Sequence, residues 1–418
     1  MATREPHREG KKEFDLVIFG ATGFTGGLVA GYLAKKHPAV RWAIAGRSRD
    51  KLERLRDSLS VVDPALKELP ILEADSLDRK AMDGLAQRTR VVCTTAGPYA
   101  RYGSALLGAC AEHGTDYCDL TGEVYWVRTM IDAHHARAVE TGARIVPSCG
   151  FDSIPSDLGV FMLYKHLAAQ GRKLAEVHFR VTRMKGGASG GTIASGLDTM
   201  ERMRDPAVRR LLMNPYALNP EGERSGPDVP DVIRPRRDPH TGRWLGPFVM
   251  AAVNTRVVRR SNALLEFAYG RDFRYDESMD TGKGLSGMVR AVATSGGLVG
   301  GMALAGFPAG WKLIERYLPA PGEGPNREQR EQGYFKCELL AVATDGGKLV
   351  GRVAANQDPG YGATSWMLSE SALCLAEDDL PRRGGILTPA SSMGMTLIER
   401  LRAAGMTFQV EEEGASTR

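Results

Sequence analysis

The segment Phe14-Asp-Leu-Val-Ile-Phe-Gly20-Ala21-Thr22-Gly23-Phe24-Thr25-Gly26 carries the residue types that cradle a phosphate. An apolar run leads straight into three glycines spaced three apart, and residues 27–36 have the composition of a helix. In such a turn Gly20 allows the tight bend and Gly23 lets a backbone approach a pyrophosphate. Gly26 lets the helix pack against the strand with its first N–H groups facing the anion. Glycines at this spacing also occur in ordinary turns. Here a second apolar strand, Arg41-Trp-Ala-Ile-Ala-Gly46, follows the helix, and that context makes dinucleotide binding the expected chemistry.

The residues after the second strand select the nucleotide. An acid at that place accepts from the ribose 2′-hydroxyl of NAD, whereas NADP needs room and a cation for its 2′-phosphate. Arg47, Ser48 and Arg49 stand there, with no acid until Asp50. A guanidinium and a hydroxyl suit a phosphate dianion, so NADP(H) is expected at Arg47 and Ser48. The alternative is a solvated helix start with Ser48 as its cap.

Such residues need a scaffold that brings strand ends together. Strand and helix patterns alternate to about residue 150: helix 50–60, strand 69–74, helix 77–88, strand 90–97, helix 104–113, strand 116–120, helix 124–141 and strand 144–148. That alternation predicts a doubly wound parallel sheet of the Rossmann type, with ligands beyond the carboxyl ends of its strands. Asp75, at the end of the third strand, is placed to accept from an adenine amino group. Thr95, Ala96, Gly97 and Pro98 end the fourth, where small residues let a nicotinamide ribose lie against backbone. Each of these has turn chemistry as its alternative.

At 418 residues the chain exceeds one ordinary core, and 43% apolar with 25% charged residues is a folded, soluble average. The expected division is a nucleotide domain at 1–150, a substrate or interaction domain at 151–360, and C-terminal helices at 361–418 that return to the first domain. Beyond residue 150 two-residue periodicity appears, with strands expected at 177–183, 248–256, 264–274, 334–343 and 349–356. The last two flank Asp345-Gly346-Gly347, a hairpin signal. The fold class is therefore α/β with an inserted α+β domain on a mostly antiparallel sheet. Residues 1–13 are charged and lack an apolar h-region, so the cytosol is the expected compartment. Six scattered cysteines without a C-x-x-C pair read as reduced core thiols. No metal site is expected, since His134 and His135 are adjacent and poorly spaced for a shared ion.

Taken together, several blocks resemble the saccharopine dehydrogenase-like oxidoreductases: Gly20 to Gly26, Ala45-Gly-Arg47-Ser48, Thr95-Ala-Gly-Pro-Tyr99, Tyr117-Cys-Asp-Leu-Thr-Gly-Glu123, Gly150-Phe-Asp-Ser-Ile-Pro-Ser-Asp157 and Gly385-Ile-Leu-Thr-Pro-Ala390. Asn254-Thr-Arg-Val-Val-Arg-Arg-Ser-Asn-Ala263 and Tyr269-Gly-Arg-Asp-Phe-Arg-Tyr275 look most like the trans-acting enoyl reductases of actinobacterial lipid synthesis. The resemblance spans nearly the whole chain. It implies an NADPH-dependent reduction of a carbon–carbon double bond on an acyl chain carried by a polyketide synthase or acyl carrier protein. Such a reaction needs a proton donor, and Tyr99, Tyr102, Asp152 and Ser153 lie near the relevant strand ends. Tyr99 ranks first, with packing as its alternative role; for Asp152 and Ser153 the alternative is capping the helix that begins near Ile154. A Tyr-x-x-x-Lys pair of the short-chain dehydrogenase kind is lacking, since Tyr32 and Lys36 fall directly after the phosphate turn. The other readings are a saccharopine-type amino-acid dehydrogenase and a nucleotide-binding lipid or membrane protein without catalysis.

Two further features concern partners. Residues 201–260 hold twelve arginines, no lysine and seven acids, an excess equal to the +5 of the whole chain. That field suits an acidic carrier protein or an anionic membrane surface at the inner face of the plasma membrane, while no nucleic-acid motif accompanies it. Residues 291–311 form an uncharged run with six glycines. It reads as a buried or linking helix, an interfacial membrane element, or the wall of an acyl tunnel. Homo-oligomerisation stays open.

Overall fold

Strand β1 (Phe14–Phe19) is apolar on both sides because both of its faces are covered. Leu16 and Ile18 enter one buried cluster, and Phe14, Val17 and Phe19 enter another. A strand buried on two faces belongs in the middle of a parallel sheet with helices above and below. The computed structural model, which describes residues 12–36, 40–186, 199, 202–231, 233–305 and 324–412, has that arrangement. β1 pairs in parallel with β2 (Trp42–Gly46) and β4 (Thr89–Thr94). β3 (Ile71–Glu73) lies outside β2, and β5 (Asp116–Cys118) and β6 (Arg144–Val146) continue from β4.

The order β3-β2-β1-β4-β5-β6, extended at the β6 edge by Gly385–Ile386, reverses direction between β1 and β4. A crevice opens at such a reversal, beyond the carboxyl ends of the two strands. Helices Phe24–Lys36 and Gly362–Glu377 pack together on one face, and Arg79–Arg88, Ser104–Glu112 and Val124–Thr141 cover the other. Fully burying a side chain such as Leu16 or Ile18 stabilises this sheet by roughly 1.5–3 kcal/mol.

The second sheet has seven strands: β7 (Leu174–Lys185), β8 (Arg236–Arg237), β9 (Trp244–Gly246), β10 (Arg274–Gly282), β11 (Tyr334–Ala343), β12 (Lys348–Ala355) and, after Gly385–Ile386 as β13, β14 (Thr407–Glu412). Only the β7–β10 pair is parallel. The β11–β12 hairpin turns at the expected Asp345-Gly346-Gly347, with Gly346 at φ +85°. Residues along β11 and β12 alternate between core and solvent because only one face is covered, by helix Ile154–Ala169. Gly159 allows that approach, since a Cβ there would stand 2.8 Å from Leu339.

Two strand expectations are corrected. The window 248–256 runs into helix Ala251–Leu264, which is buried almost all round and therefore shows no clean apolar stripe. Its Val253, Val257 and Val258 gave it a strand's composition, but tertiary packing overrides that preference. The window 264–274 is a turn, with Glu266 and Phe267 at φ +58° and +59°, and β10 starts only at Arg274. All six cysteines are buried and unpaired.

Of the alternatives for the uncharged segment, the buried helix does not fit. Helix Gly284–Ala305 buries Gly287, Ala291 and Ser295 along one stripe and exposes most of the rest, so it is not a core helix. Among the described residues no helix is long and apolar enough to cross a membrane. Gly296, Gly297, Gly300 and Gly301 have no described atom within 4 Å of an added Cβ, so no helix is packed on them there. Residues 306–311 lie outside the described residues.

Candidate active site

The three glycines of the turn after β1 have three different surroundings. Gly20 sits at φ +79° and donates its N–H to the Ala45 carbonyl at 3.0 Å. At Gly26 a Cβ would stand 2.3 Å from the Gly20 carbonyl oxygen, so only glycine lets this helix lie so close to the strand. Around Gly23 an added Cβ meets only the Gly20 oxygen, at 3.3 Å, and otherwise faces open space. The open side is where a pyrophosphate fits. The first N–H groups of helix Phe24–Lys36 have no intrahelical acceptor, and its first turn holds no acid, so the positive end of the helix is directed at that space. Ala21 is buried, Thr22 is exposed, and Phe24 and Thr25 are half-buried at the rim. Phe24 packs edge-on against Tyr361 with ring centroids 4.7 Å apart.

Beyond β2 the groups expected to face a 2′-phosphate are available. Arg47 is exposed and has no ion-pair partner among the described residues, whereas Arg49 is held by Glu53 at 3.0 Å. Ser48 stands at the start of helix Arg49–Ser60 but makes no side-chain capping bond. A guanidinium and a hydroxyl, both uncommitted, fit the extra phosphate of NADP. Asp75 is exposed, and its Oδ1 accepts the Leu77 N–H at 2.9 Å, so part of its role is turn chemistry.

The end of β4 is tied to the phosphate turn, because Thr95 Oγ1 donates to the Gly20 carbonyl at 3.1 Å. Ala96 N–H is held by Thr94 Oγ1, and the Gly97–Pro98 bond is cis. Glu123 then accepts the N–H groups of Tyr99 and Ala100, both at 2.8 Å. Sequence reasoning used Glu123 only as part of a family block; its signal as a cap lies in a helix 24 residues away, which spacing does not reveal. Tyr99, ranked first as proton donor, is 3% exposed. Its hydroxyl donates to the Thr94 carbonyl and accepts the Leu120 N–H, and burial pushes its pKa well up. That geometry gives the phenol the packing role. Tyr102 is half-buried.

The turn after β6 presents the remaining acids. Asp152 is partly exposed, and its carboxyl oxygens lie over Gly122 and Gly150, whose added Cβ atoms would be 3.8 and 3.3 Å away. Among the described residues no other side chain bonds this carboxyl. Protein surrounds it closely, and desolvation, with a smaller contribution from the Asp119 charge, pushes it up to about 7. Ser153 begins helix Ile154–Ala169 without capping it by its side chain. Instead its Oγ donates to the Asp152 carbonyl at 2.7 Å and approaches Asn254 Oδ1 at 3.4 Å. Asn254 in turn donates to buried Glu277, which Tyr275 also bonds. These three residues come from the helix and strand that sequence periodicity misplaced. Asp119 is fully buried and accepts from Tyr117 Oη and from the N–H groups of Thr121 and Ser148, so it fixes the ends of β5 and β6.

A parallel sheet that reverses at β1 and β4, a glycine-cradled helix N-terminus at that reversal, and cationic rather than acidic chemistry after β2 define a nicotinamide-dinucleotide oxidoreductase. Residues 16–146 match the family model for the saccharopine dehydrogenase NADP binding domain. The chain is 45% identical over 415 residues to a protein of Mycobacterium tuberculosis (strain ATCC 25618 / H37Rv) provisionally named trans-acting enoyl reductase, covering 95% of this chain and 97% of that one. It is 40% identical over 412 residues to the trans-acting enoyl reductase of Mycobacterium ulcerans (strain Agy99), covering 95% and 97%. Its fold is similar to apo saccharopine dehydrogenase (L-Glu forming) from Saccharomyces cerevisiae, at 10% identity and a TM-score of 0.53 over 96% of this chain and 99% of that one. The chain belongs to the saccharopine dehydrogenase-like family that contains the trans-acting enoyl reductases, and it is an NADP-dependent oxidoreductase.

Proposed function

We propose that this protein reduces the carbon–carbon double bond of an enoyl thioester in trans, on an acyl chain carried by a polyketide synthase or acyl carrier protein. The observation that carries this reading is the near full-length identity to two mycobacterial proteins that bear the enoyl reductase name. Gly20 to Gly26 hold the pyrophosphate, Arg47 and Ser48 the 2′-phosphate, Asp75 the adenine, and Thr95 to Pro98 the nicotinamide ribose. Bound NADPH supplies a hydride to the β-carbon.

The protein's own residues then handle the proton. Asp152 keeps a proton on its carboxyl up to near-neutral pH and delivers it to the α-carbon, where reduction leaves an electron pair. Ser153 and Asn254 hold the Asp152 turn in place. Tyr99 and Glu123 fix the Thr95–Pro98 turn from within the core.

Part of the positive charge expected for 201–260 is paired with acids outside that segment, Arg224 with Asp132, Arg236 with Asp276 and Arg243 with Asp280, and part is buried. Arg256 and Arg259 are buried against Asp231 and Asp228, and Arg260 is buried against the carbonyls of Leu218 and Ile386. Arg204, Arg209 and Arg210 remain exposed and without an acid among the described residues, a surface that suits an acidic carrier protein. Helix Gly284–Ala305 shows Leu285, Val289, Val292 and Val299 to solvent beside Lys283 and Arg290, which suits an anionic lipid surface at the inner face of the plasma membrane. The protein is then cytoplasmic and peripheral.

NADPH consumption by the purified protein against a panel of enoyl thioesters and of oxo-acid plus amine pairs tests the reading. Turnover with enoyl thioesters alone is expected. Turnover with oxo-acid and amine alone would instead give the saccharopine-type reading, and tight NADPH binding with turnover of neither would give a protein without catalysis.

A further inference from the structure

Among the described residues one group of side chains brings ligand atoms of metal-binding type together, and it lies on the second sheet, apart from the strand ends that hold the nucleotide. Glu176 and His178 are two apart on β7 and so share a face of the sheet. His240 comes from the turn between β8 and β9. That turn is built to hold it: Asp238 Oδ1 accepts the His240 N–H at 2.9 Å, Asp238 Oδ2 accepts from Arg180 Nε at 3.0 Å, and the Gly242 N–H closes on the Asp238 carbonyl at 2.8 Å.

The register of β7 with β10 places Asp276 beside His178. Asp276 Oδ2 faces His178 Nδ1 at 2.5 Å, and its Oδ1 is shared by Arg180 and Arg236. A carboxylate that accepts a hydrogen bond from Nδ1–H orients the ring and leaves Nε2 with a lone pair, the arrangement that commonly backs a metal-bound histidine. His178 Nε2 lies 3.0 Å from His240 Nε2 and 3.3 Å from Glu176 Oε2. Tetrahedral zinc with bonds of about 2.0–2.1 Å separates neighbouring ligand atoms by roughly 3.3 Å. A proton on either Nε2 would close the His178–His240 contact as a hydrogen bond; with both nitrogens presenting lone pairs, a cation between them and the carboxylate holds the three together.

We propose that Glu176, His178 and His240 bind one zinc-class divalent ion, with a solvent-facing position left to water, and that the ion fastens the β8–β9 turn to β7. Two imidazoles and one carboxylate suit zinc, cobalt(II), nickel(II) or copper(II) and are poorly matched to magnesium or calcium, which prefer all-oxygen shells. The competing arrangement uses a proton alone, with one Nε2–H donating to the other ring's Nε2.

Calorimetry with zinc chloride on the full-length protein, stripped with chelator, decides between them. The proposal predicts one ion per chain, roughly tenfold or greater weakening by His240→Ala and by Glu176→Gln, and no change for His166→Ala elsewhere on the surface. Cobalt(II) should give the intense visible bands of a tetrahedral site, lost in His240→Ala. His240 sits on a surface turn, and unchanged circular dichroism and NADPH binding of His240→Ala confirm that the fold is intact. Absence of stoichiometric zinc binding to the wild-type protein, or equal binding by His240→Ala, would overturn the proposal in favour of the hydrogen-bonded pair.

Discussion

Single residues at the phosphate turn and the Asp152 turn make the sharpest tests. Gly26 and Gly23 should behave oppositely. Gly26→Ala drives a Cβ into the Gly20 carbonyl, which costs stability by about 1–3 kcal/mol. Gly23→Val meets only the Gly20 oxygen, 3.3 Å from its Cβ, a far milder contact than at Gly26, so circular dichroism should report a folded chain while NADPH binding fails. A folded Gly23→Val that binds NADPH normally removes the turn from the cofactor site. Arg47 is exposed and has no ion-pair partner among the described residues, so Arg47→Ala should leave stability alone. It should weaken NADPH by about ten- to a hundredfold and leave NADH unchanged in calorimetry, as expected for a charge-assisted bond of roughly 1.5–3 kcal/mol. Equal loss for both nucleotides would make the arginine structural. Asp152 must be protonated to donate, and desolvation raises its pKa to about 7, so kcat should fall as pH rises through that value. Asp152→Asn should lower kcat by about a hundredfold or more, abolish that pH dependence and keep NADPH affinity. A variant with wild-type kcat and the same pH profile would assign the proton elsewhere.

Elements carry the interaction with partners, and they also mark what the sequence made legible. Helix Gly284–Ala305 carries a single charge, Arg290, and exposes Leu285 by 72% and Val289 by 57%. The wild-type protein should float with liposomes in proportion to their anionic lipid content. Val292→Asp combined with Val299→Asp, both at exposed positions, should reduce flotation without altering the fold. A wild-type protein that stays in the soluble fraction at every composition rejects the lipid contact. The parallel strands and the β11–β12 hairpin were readable because apolar runs, period-two alternation and an Asp-Gly-Gly turn are local signals. Helix Ala251–Leu264 was not. Its Arg256, Arg259 and Arg260 are buried by partners contributed from residues 212–231, Tyr275 and Ile386, and no window of sequence contains those contacts. The Glu176, His178 and His240 cluster was hidden for the same reason, because a strand and a distant turn supply it. Tyr99 ranks first as a donor on its position in the chain, whereas the direction of its hydroxyl, set by the Thr94 carbonyl, is not legible in the sequence.

Across the whole molecule, the C-terminal stretch joins the two sheets. β13 completes the first sheet, β14 completes the second, and helix Gly362–Glu377 packs on β1, β4 and β5 and against the phosphate-turn helix. Tyr32 on that first helix donates to Glu370, which Arg400 also bonds, so a buried polar contact ties the turn to the last helices. One hydrophobic cluster runs from Leu16 and Ile18 to Phe335, Leu339 and Phe408, so the two sheets share a continuous core. This continuity is what lets Ser153 and Asn254, from different parts of the chain, meet at one place. The most direct test of the account follows the atoms. The protein is given NADPH deuterated at the transferred C4 position, together with an enoyl thioester in ordinary water, and the product is read by mass spectrometry and NMR. The account predicts one deuterium on the β-carbon and a solvent-derived hydrogen on the α-carbon of a saturated thioester, with formation slowed in Asp152→Asn. An enoyl thioester recovered without deuterium, while an oxo-acid and amine pair takes up the label, would contradict it.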